Sequence, residues 1–271
     1  MKVLKFGGTS VANASRIKEV YSIVSKQHKA DKKLVVVCSA LGGVTDELIK
    51  MSKLASLRDD QYKKVLQQIR QRHLTCILDL GLNKDKELLR FMDQTVESFS
   101  DLLHGISLVK ELSLRTLDFI SGQGEVMSSR IVASYFNHQK LKSDFIDARK
   151  LVITDENFGS GKVDFKITNN NIRKHIDQKG RVSVVTGFIG ATNDGEMTTL
   201  GRGGSDYSAA IFGAALDADE IQIWTDVDGV LTADPRKVKK AIPVGSMTYT
   251  EAMEMSHFGA KVIHPPTIQP A

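Results

Sequence analysis

The chemistry of this chain gathers in Thr198-Thr-Leu-Gly-Arg-Gly-Gly-Ser-Asp-Tyr-Ser-Ala-Ala210, where one arginine stands among three glycines and a serine follows. Gly201, Gly203 and Gly204 let backbone N–H groups approach a ligand, because glycine has no Cβ and adopts positive φ freely. Ser205 is a good N-cap for a small-residue helix over residues 207–216. A helix N-terminus behind such a turn attracts anions, and Arg202 adds a planar fork suited to a carboxylate or phosphate. Other glycine-rich stretches each carry one charge. Lys5 precedes Gly7-Gly8, which suits it to a phosphate, although a lysine ending a strand is commonly just a solvated terminus. Glu125 closes Ser121-Gly-Gln-Gly-Glu125 and reads as a helix start, where its carboxylate either holds a substrate ammonium or complements the helix dipole. Asp226 and Asp228 in Thr225-Asp-Val-Asp-Gly229 form either a turn or a ribose and metal site, and Lys261 follows Phe258-Gly-Ala. Together these charges describe a site for two strongly anionic ligands.

Two nucleotide motifs are imitated and fail. Gly159-Ser-Gly-Lys162 resembles the end of a P-loop, but Glu156 replaces its first glycine and Val163 the Ser or Thr that binds Mg²⁺. Gly122-Gln-Gly124 follows no strand, and Met127 replaces the third glycine of a dinucleotide fingerprint. No zinc-protease, hydrolase-elbow or protein-kinase motif is present.

The elements that must position these residues follow an α/β grammar. Residues 2–6 read as a strand running into Gly7-Gly8-Thr9-Ser10, then a helix capped by Asn13 with Ile17, Val20, Tyr21 and Val24 on one face. Residues 34–38 form a continuous apolar run, as in a strand buried on both sides of a parallel sheet. That run ends in Ser39-Ala-Leu-Gly-Gly43, and a helix begins near Thr45. Such strand–glycine–helix units bind ligands at the carboxyl ends of their strands. Residues 59–105 read as an antiparallel helical hairpin beside the sheet, with His73 as a core histidine. A helix over 111–120 closes at Ser121-Gly-Gln-Gly-Glu125 and another runs on to His138. Short strands are expected at 145–146 and 151–153, a helix at 165–178, strands at 182–186 and 221–224, and a helix at 248–256. One domain with two lobes meeting across the glycine loops is expected.

Composition bounds the alternatives. The 271 residues are 41% hydrophobic and 25% charged with net charge +5, ordinary for a globular protein with a sizeable core. The basic run Arg236-Lys-Val-Lys-Lys240 has no interleaved aromatics, which argues against nucleic-acid binding. Two cysteines, Cys38 and Cys76, in apolar contexts make no disulfide framework or metal spacing and read as buried thiols. The start lacks signal-peptide character and no apolar run is long enough to span a bilayer, so a cytoplasmic chain with no membrane partner is expected.

Taken together, Lys5-Phe-Gly-Gly-Thr-Ser10, Ser121-Gly-Gln-Gly-Glu125, Thr199-Leu-Gly-Arg-Gly-Gly-Ser-Asp206, Trp224-Thr-Asp-Val-Asp-Gly229, Asp234-Pro-Arg236 and Gly259-Ala-Lys-Val-Ile-His-Pro265 resemble the aspartokinases of the amino acid kinase family. Their cousins include the acetylglutamate, glutamate 5-, carbamate and uridylate kinases. The resemblance covers the whole chain. It implies a three-layer αβα sandwich around a mainly parallel sheet, and phosphoryl transfer from ATP, with Mg²⁺, to the β-carboxylate of L-aspartate. It further implies that an amino-terminal lobe of about residues 1–190 holds aspartate and that residues 191–271 hold nucleotide. Arg202 would then grip the substrate α-carboxylate with Ser205 assisting, Glu125 its ammonium, and Ser39 and Thr45 the pocket wall. Lys5, Gly7, Gly8 and Lys261 would hold phosphates, and Thr225, Asp226, Arg236 and Val262 the nucleotide. Asp206 would order the lysines or the metal shell. No direct side-chain metal ligand is implied.

That assignment agrees with the chemistry. A carboxylate nucleophile is already ionised, so the enzyme must neutralise and align two anions rather than supply a base. A lysine about 4 Å from a phosphate oxygen contributes roughly 4 kcal/mol at an effective dielectric of ~20, against ~1 in water. Leu231 stands where many family members place an aromatic near the nucleotide, and Pro266 replaces a usual arginine. Family members continue into regulatory ACT domains, which support their dimers, and some into a homoserine dehydrogenase. The resemblance therefore implies the catalytic part, with a homodimer open. A kinase of another small amino acid or carbamate, or a non-catalytic ligand-binding module, stays as the alternative.

Overall fold

The structure is a computed structural model and describes residues 1–176, 180–227, 229–234, 237–257, 267 and 270. Strand β1 (Lys2–Phe6) leads through Gly7-Gly8 to helix α1 (Ala14–Ala30), and β2 (Leu34–Cys38) through Gly42-Gly43 to α2 (Val44–Ser56). Asn13 does cap α1, its side chain accepting from the Arg16 N–H at 3.1 Å. The hairpin is α3 (Gln61–Asp79) and α4 (Lys86–Val109), followed by α5 (Leu114–His138). Then come β3 (Ser143–Ile146), α6 (Phe165–His175), β4 (Val182–Thr186), and a short antiparallel pair, β5 (Ile189–Ala191) and β6 (Met197–Thr199). Helix α7 (Gly204–Ala215), β7 (Glu220–Trp224) and α8 (Tyr249–His257) complete the described elements.

The main sheet has the order β3-β4-β2-β1-β7, every pair parallel. All five residues of β2 are buried, as its unbroken apolar run requires at the sheet centre. Leu4, Phe6, Val36 and Cys38 face a core shared with α1, α2 and α5, while Val3, Val35, Val37 and Val185 face a second core built with α6 and α7. Side-chain alternation thus feeds two helical layers, giving the expected αβα sandwich. The hairpin packs chiefly on α2, one layer further out than the sheet. His73 is a core residue as expected: burial pushes its pKa down to about 4, and Nδ1 meets the Ile69 carbonyl at 2.7 Å.

Register decides where the turns fall. Phe6 pairs with Cys38 and with Trp224, and Cys38 pairs with Thr186. Four strands therefore end level, and the residues that follow them, Gly7, Ser39, Gly187 and Thr225, form one row along the carboxyl edge.

Three local expectations are corrected. Ser121-Gly-Gln-Gly-Glu125 is no turn; α5 passes straight through it. A Cβ on Gly122 would stand 2.5 Å from Met197 Sδ, and one on Gly124 2.8 Å from the Ala40 Cβ, so tight packing rather than chain reversal explains the pair. Glu125 accordingly sits mid-helix. Ser205 does not cap α7: the N-cap is Gly203, at φ 70°, a left-handed conformation that glycine adopts without strain. Residues 151–153 form no strand. A single bridge joins Ile153 to Ala191 after a 3-10 turn at Ala148–Lys150.

Candidate active site

The carboxyl edge of the sheet gathers the charged residues. Lys5 leaves β1 on the face that α7 covers, and its ammonium lies 2.5 Å from Asp206 Oδ1 in the first turn of that helix, an ion pair that no aligned hydrogen bond accompanies. The same ammonium would stand 3.3 Å from a Cβ on Gly7, so the missing side chain leaves it room. Gly8 brings β1's loop against β2's: a Cβ there would meet the Ala40 carbonyl oxygen at 3.2 Å and the Gly42 Cα at 3.4 Å. These two strand-end loops therefore form one surface of backbone groups and a single lysine.

Glu125 enters from the helical layer. Its side chain is buried, Oε1 accepts the Ala40 N–H at 3.1 Å, and Oε2 has no partner among the described residues. Burial pushes its pKa up from 4.5 to about 8, with the Ala40 hydrogen bond opposing the rise. A buried carboxyl with one open oxygen is poised to gain a cationic partner. Ser39 joins the same corner, its carbonyl accepting from Ser128 Oγ at 2.6 Å, and half-buried Thr45 stands in the first turn of α2.

Ser205 reaches the edge from α7. A Cβ on Gly187 would lie 2.8 Å from Ser205 Oγ and 3.1 Å from the Cys38 carbonyl oxygen, which places Ser205 over the ends of β2 and β4. Arg202 is exposed in the loop before α7, three residues away, and its guanidinium has no ion-pair or hydrogen-bond partner among the described residues. At the β7 end, Trp224 stacks on Phe6 with ring centroids 5.9 Å apart. Thr225 and Asp226 follow, both exposed, with Thr225 Oγ1 donating to Asp226 Oδ1 at 3.0 Å. Together with Thr9, Ser10, Arg16 and Glu19 they line a cavity of about 270 Å³. Asp228, Arg236, Lys261 and Val262 lie outside the described residues.

Three further residues shape this edge and carried no sequence signal. Asp118, buried on α5 two turns before Glu125, accepts from the N–H groups of Gly159 at 2.7 Å and Thr199 at 2.9 Å and from Thr199 Oγ1 at 2.8 Å. Arg72 of α3 donates to the Gly42 carbonyl and lies 3.7 Å from Glu47. Phe188 adopts φ 69°, rare for an aromatic residue, just after β4, and a Cβ on Gly204 would meet its ring at 2.6 Å. An acid on a helix and an arginine on a hairpin belong to no motif in the sequence, and only the tertiary arrangement reveals their partners.

A level row of glycine-flanked strand ends, with an ion-paired lysine and a buried carboxyl, lies at the carboxyl edge of an open α/β sheet, the edge at which such sheets generally bind ligands. The profile described as "Amino acid kinase family" matches residues 1–271, and the chain belongs to that family. It is similar to Aspartokinase 1, chloroplastic, of Arabidopsis thaliana, with 37% identity over 278 residues, 99% of this chain and 48% of that protein. The Bifunctional aspartokinase/homoserine dehydrogenase 1, chloroplastic, of the same plant is 38% identical over 272 residues, again 99% of this chain but 30% of the relative. Among solved structures, E. coli aspartokinase III in complex with aspartate and ADP (R-state) superposes with a TM-score of 0.91 at 32% identity, covering 100% of this chain and 59% of that one. The chain thus spans about half or less of the length of these curated relatives. No helix among the described residues is long and apolar enough to cross a membrane.

Proposed function

We propose that this chain transfers the γ-phosphoryl group of ATP to the β-carboxylate of L-aspartate, giving 4-phospho-L-aspartate and ADP. The observation that carries the reading is the pairing, on one sheet edge, of the Lys5–Asp206 ion pair with the buried Glu125 carboxyl that keeps one oxygen open. An α-amino acid supplies the ammonium that Glu125 lacks. The likeness to a solved aspartokinase holding aspartate and ADP supports the same substrates.

The roles are carried over from the family resemblance, and the placement of the described residues supports them. Glu125 takes the substrate ammonium, Arg202 the α-carboxylate with Ser205 beside it, and Ser39 and Thr45 line the pocket. The aspartate pocket so drawn takes residues from both sides of position 190, while nucleotide is held mainly by the later part of the chain through Thr225 and Asp226, with Arg236 and Val262. Lys5, with Gly7 and Gly8, receives the transferring phosphoryl, and Lys261, assigned by the family resemblance alone, shares the phosphates with it. One β-carboxylate oxygen attacks the γ-phosphorus as its bond to the ADP oxygen breaks, and no proton is transferred. The work is charge neutralisation and alignment, for which Asp206 keeps Lys5 aimed.

Magnesium, when bound, neutralises phosphate charge. Such ions are held largely by phosphates and water with one or two carboxylates. Asp206 is the acid nearest the Lys5 ammonium, but its Oδ1 is taken by that ion pair, and no cluster of three acidic, His or Cys ligands exists among the described residues.

The test is a hydroxamate trap of the acyl phosphate with Mg-ATP and a panel of L-aspartate, L-glutamate, N-acetylglutamate and carbamate. Product from aspartate well above the others supports the reading. Preference for acetylglutamate or glutamate replaces it with another amino acid kinase, and ATP and aspartate binding without turnover replaces it with a binding module.

A further inference from the structure

Helix α5 carries two buried carboxylates seven residues apart, Asp118 and Glu125, both among its buried positions. Seven residues are two turns, so the two lie on one face about 10 Å apart along the axis. Asp118 is 3% exposed and is met by three donors, the N–H groups of Gly159 and Thr199 and the hydroxyl of Thr199. Those donors belong to two separate pieces of chain. Thr199 ends β6, and Leu200, next along, donates its N–H to the Phe188 carbonyl at 2.8 Å before the chain enters Gly201-Arg202-Gly203. Gly159 belongs to the 155–162 loop, which is also bound to β6 through the Gly161 N–H and the Thr199 carbonyl at 2.8 Å. A Cβ on Gly201 would stand 3.4 Å from the Gly159 carbonyl oxygen and 3.4 Å from Ser160 Oγ, so this loop is the floor on which the turn carrying Arg202 rests.

We propose that Asp118 is a positioning residue that fixes the separation of Arg202 from Glu125. Its carboxylate ties both the strand leading into the Arg202 turn and the loop beneath that turn to the helix that bears Glu125. A charged acceptor satisfied by three donors in a buried setting is rigid, because any displacement leaves donors unpaired. Resting on the reading of Glu125 and Arg202 given above, the inference makes α5 the spacer between the ammonium and α-carboxylate subsites. It also explains why an acid is buried there with no cationic partner among the described residues.

The experiment compares wild type, Asp118→Ala, Asp118→Asn and Thr199→Val by steady-state kinetics and by amide hydrogen exchange. Asp118→Ala is expected to raise the aspartate KM at least tenfold while the ATP KM stays within twofold, and to speed exchange at residues 159–161 and 199–201. Asp118→Asn is expected to stay within about threefold of wild type, because its amide oxygen can accept both N–H groups while its NH₂ faces the Thr199 hydroxyl. Should Asp118→Ala fail to fold, Thr199→Val, which removes one donor of three, is expected to raise the aspartate KM severalfold with the ATP KM unmoved. Equal rises in both KM values, or an unchanged aspartate KM beside faster exchange, overturn the inference. A wild type that phosphorylates no aspartate strikes the proposed function instead, and the exchange comparison then decides by itself whether Asp118 holds the loop.

Discussion

The ammonium of Lys5 and the carboxylate of Asp206 meet at 2.5 Å, although one residue is the last but one of the first strand and the other lies in the first turn of a helix about two hundred residues later. This pair fixes a long, flexible cation at the sheet edge before any ligand arrives, so little side-chain entropy is left to lose when phosphate binds.

Lys5→Ala is therefore expected to lower kcat by about 10²–10³, since a lysine near a phosphate contributes up to roughly 4 kcal/mol at an effective dielectric of ~20 and each ~1.4 kcal/mol is tenfold in rate. The aspartate KM should move less than threefold. Steady-state kinetics with both substrates varied checks this, and a change confined to the aspartate KM contradicts the role.

Arg202→Ala should do the opposite, raising the aspartate KM by ten- to a hundredfold with kcat reduced less. A charge-assisted contact to a carboxylate contributes about 1.5–3 kcal/mol, which is that range.

Glu125 makes stability and binding depend on pH. Its folded pKa of about 8 lies above the ordinary 4.5, so the folded chain keeps a proton that the unfolded chain releases. Its contribution to stability is full below pH 4.5, falls as pH rises through about 8, and levels off beyond. Glu125→Gln should flatten that part of the profile in denaturant titrations run at several pH values. Binding of aspartate, by placing an ammonium on the carboxylate, should release close to one proton at pH 7, which calorimetry in buffers of differing ionisation enthalpy measures directly. Absence of proton release at pH 7, and again at about pH 5.5 where a carboxyl of ordinary pKa is also largely ionised, would mean either that Glu125 is already ionised before aspartate binds or that it does not receive the ammonium.

Arg72 links the outer hairpin to the Gly42-Gly43 turn through the Gly42 carbonyl. Arg72→Ala should reduce stability by about 1–2 kcal/mol and raise the aspartate KM a few-fold, as the turn that carries Ala40 and Thr45 loosens. A chemical denaturation midpoint and one kinetic series settle both.

What could be read in the sequence was whatever local chemistry determines. The apolar run of β2 announced a central parallel strand, Asn13 announced a cap, and double glycines after strands announced the turns that line up along the carboxyl edge. What could not be read depends on distant partners. The glycines of α5 looked like a chain reversal because small residues usually punctuate, yet Ala40, Ile189 and Met197 need the space that side chains there would fill. Ser205 looked like a cap because hydroxyls usually are, but a left-handed glycine two residues earlier ends the turn. Asp118 carried no signal at all, because nothing nearby in sequence says that three donors will converge on it.

Strand β1 lies between β2, which follows within forty residues, and β7, whose Glu220 pairs with Lys2. During synthesis one flank of β1 is covered early, while the other stays bare until more than two hundred residues have emerged. Contacts so far apart along the chain form slowly, and a bare strand edge is a template for wrong pairing. The nascent protein thus passes through a long interval in which its first strand is half-finished. Its yield in the cell should depend on how fast translation runs to residue 224, and chaperone binding should concentrate on chains stalled short of it.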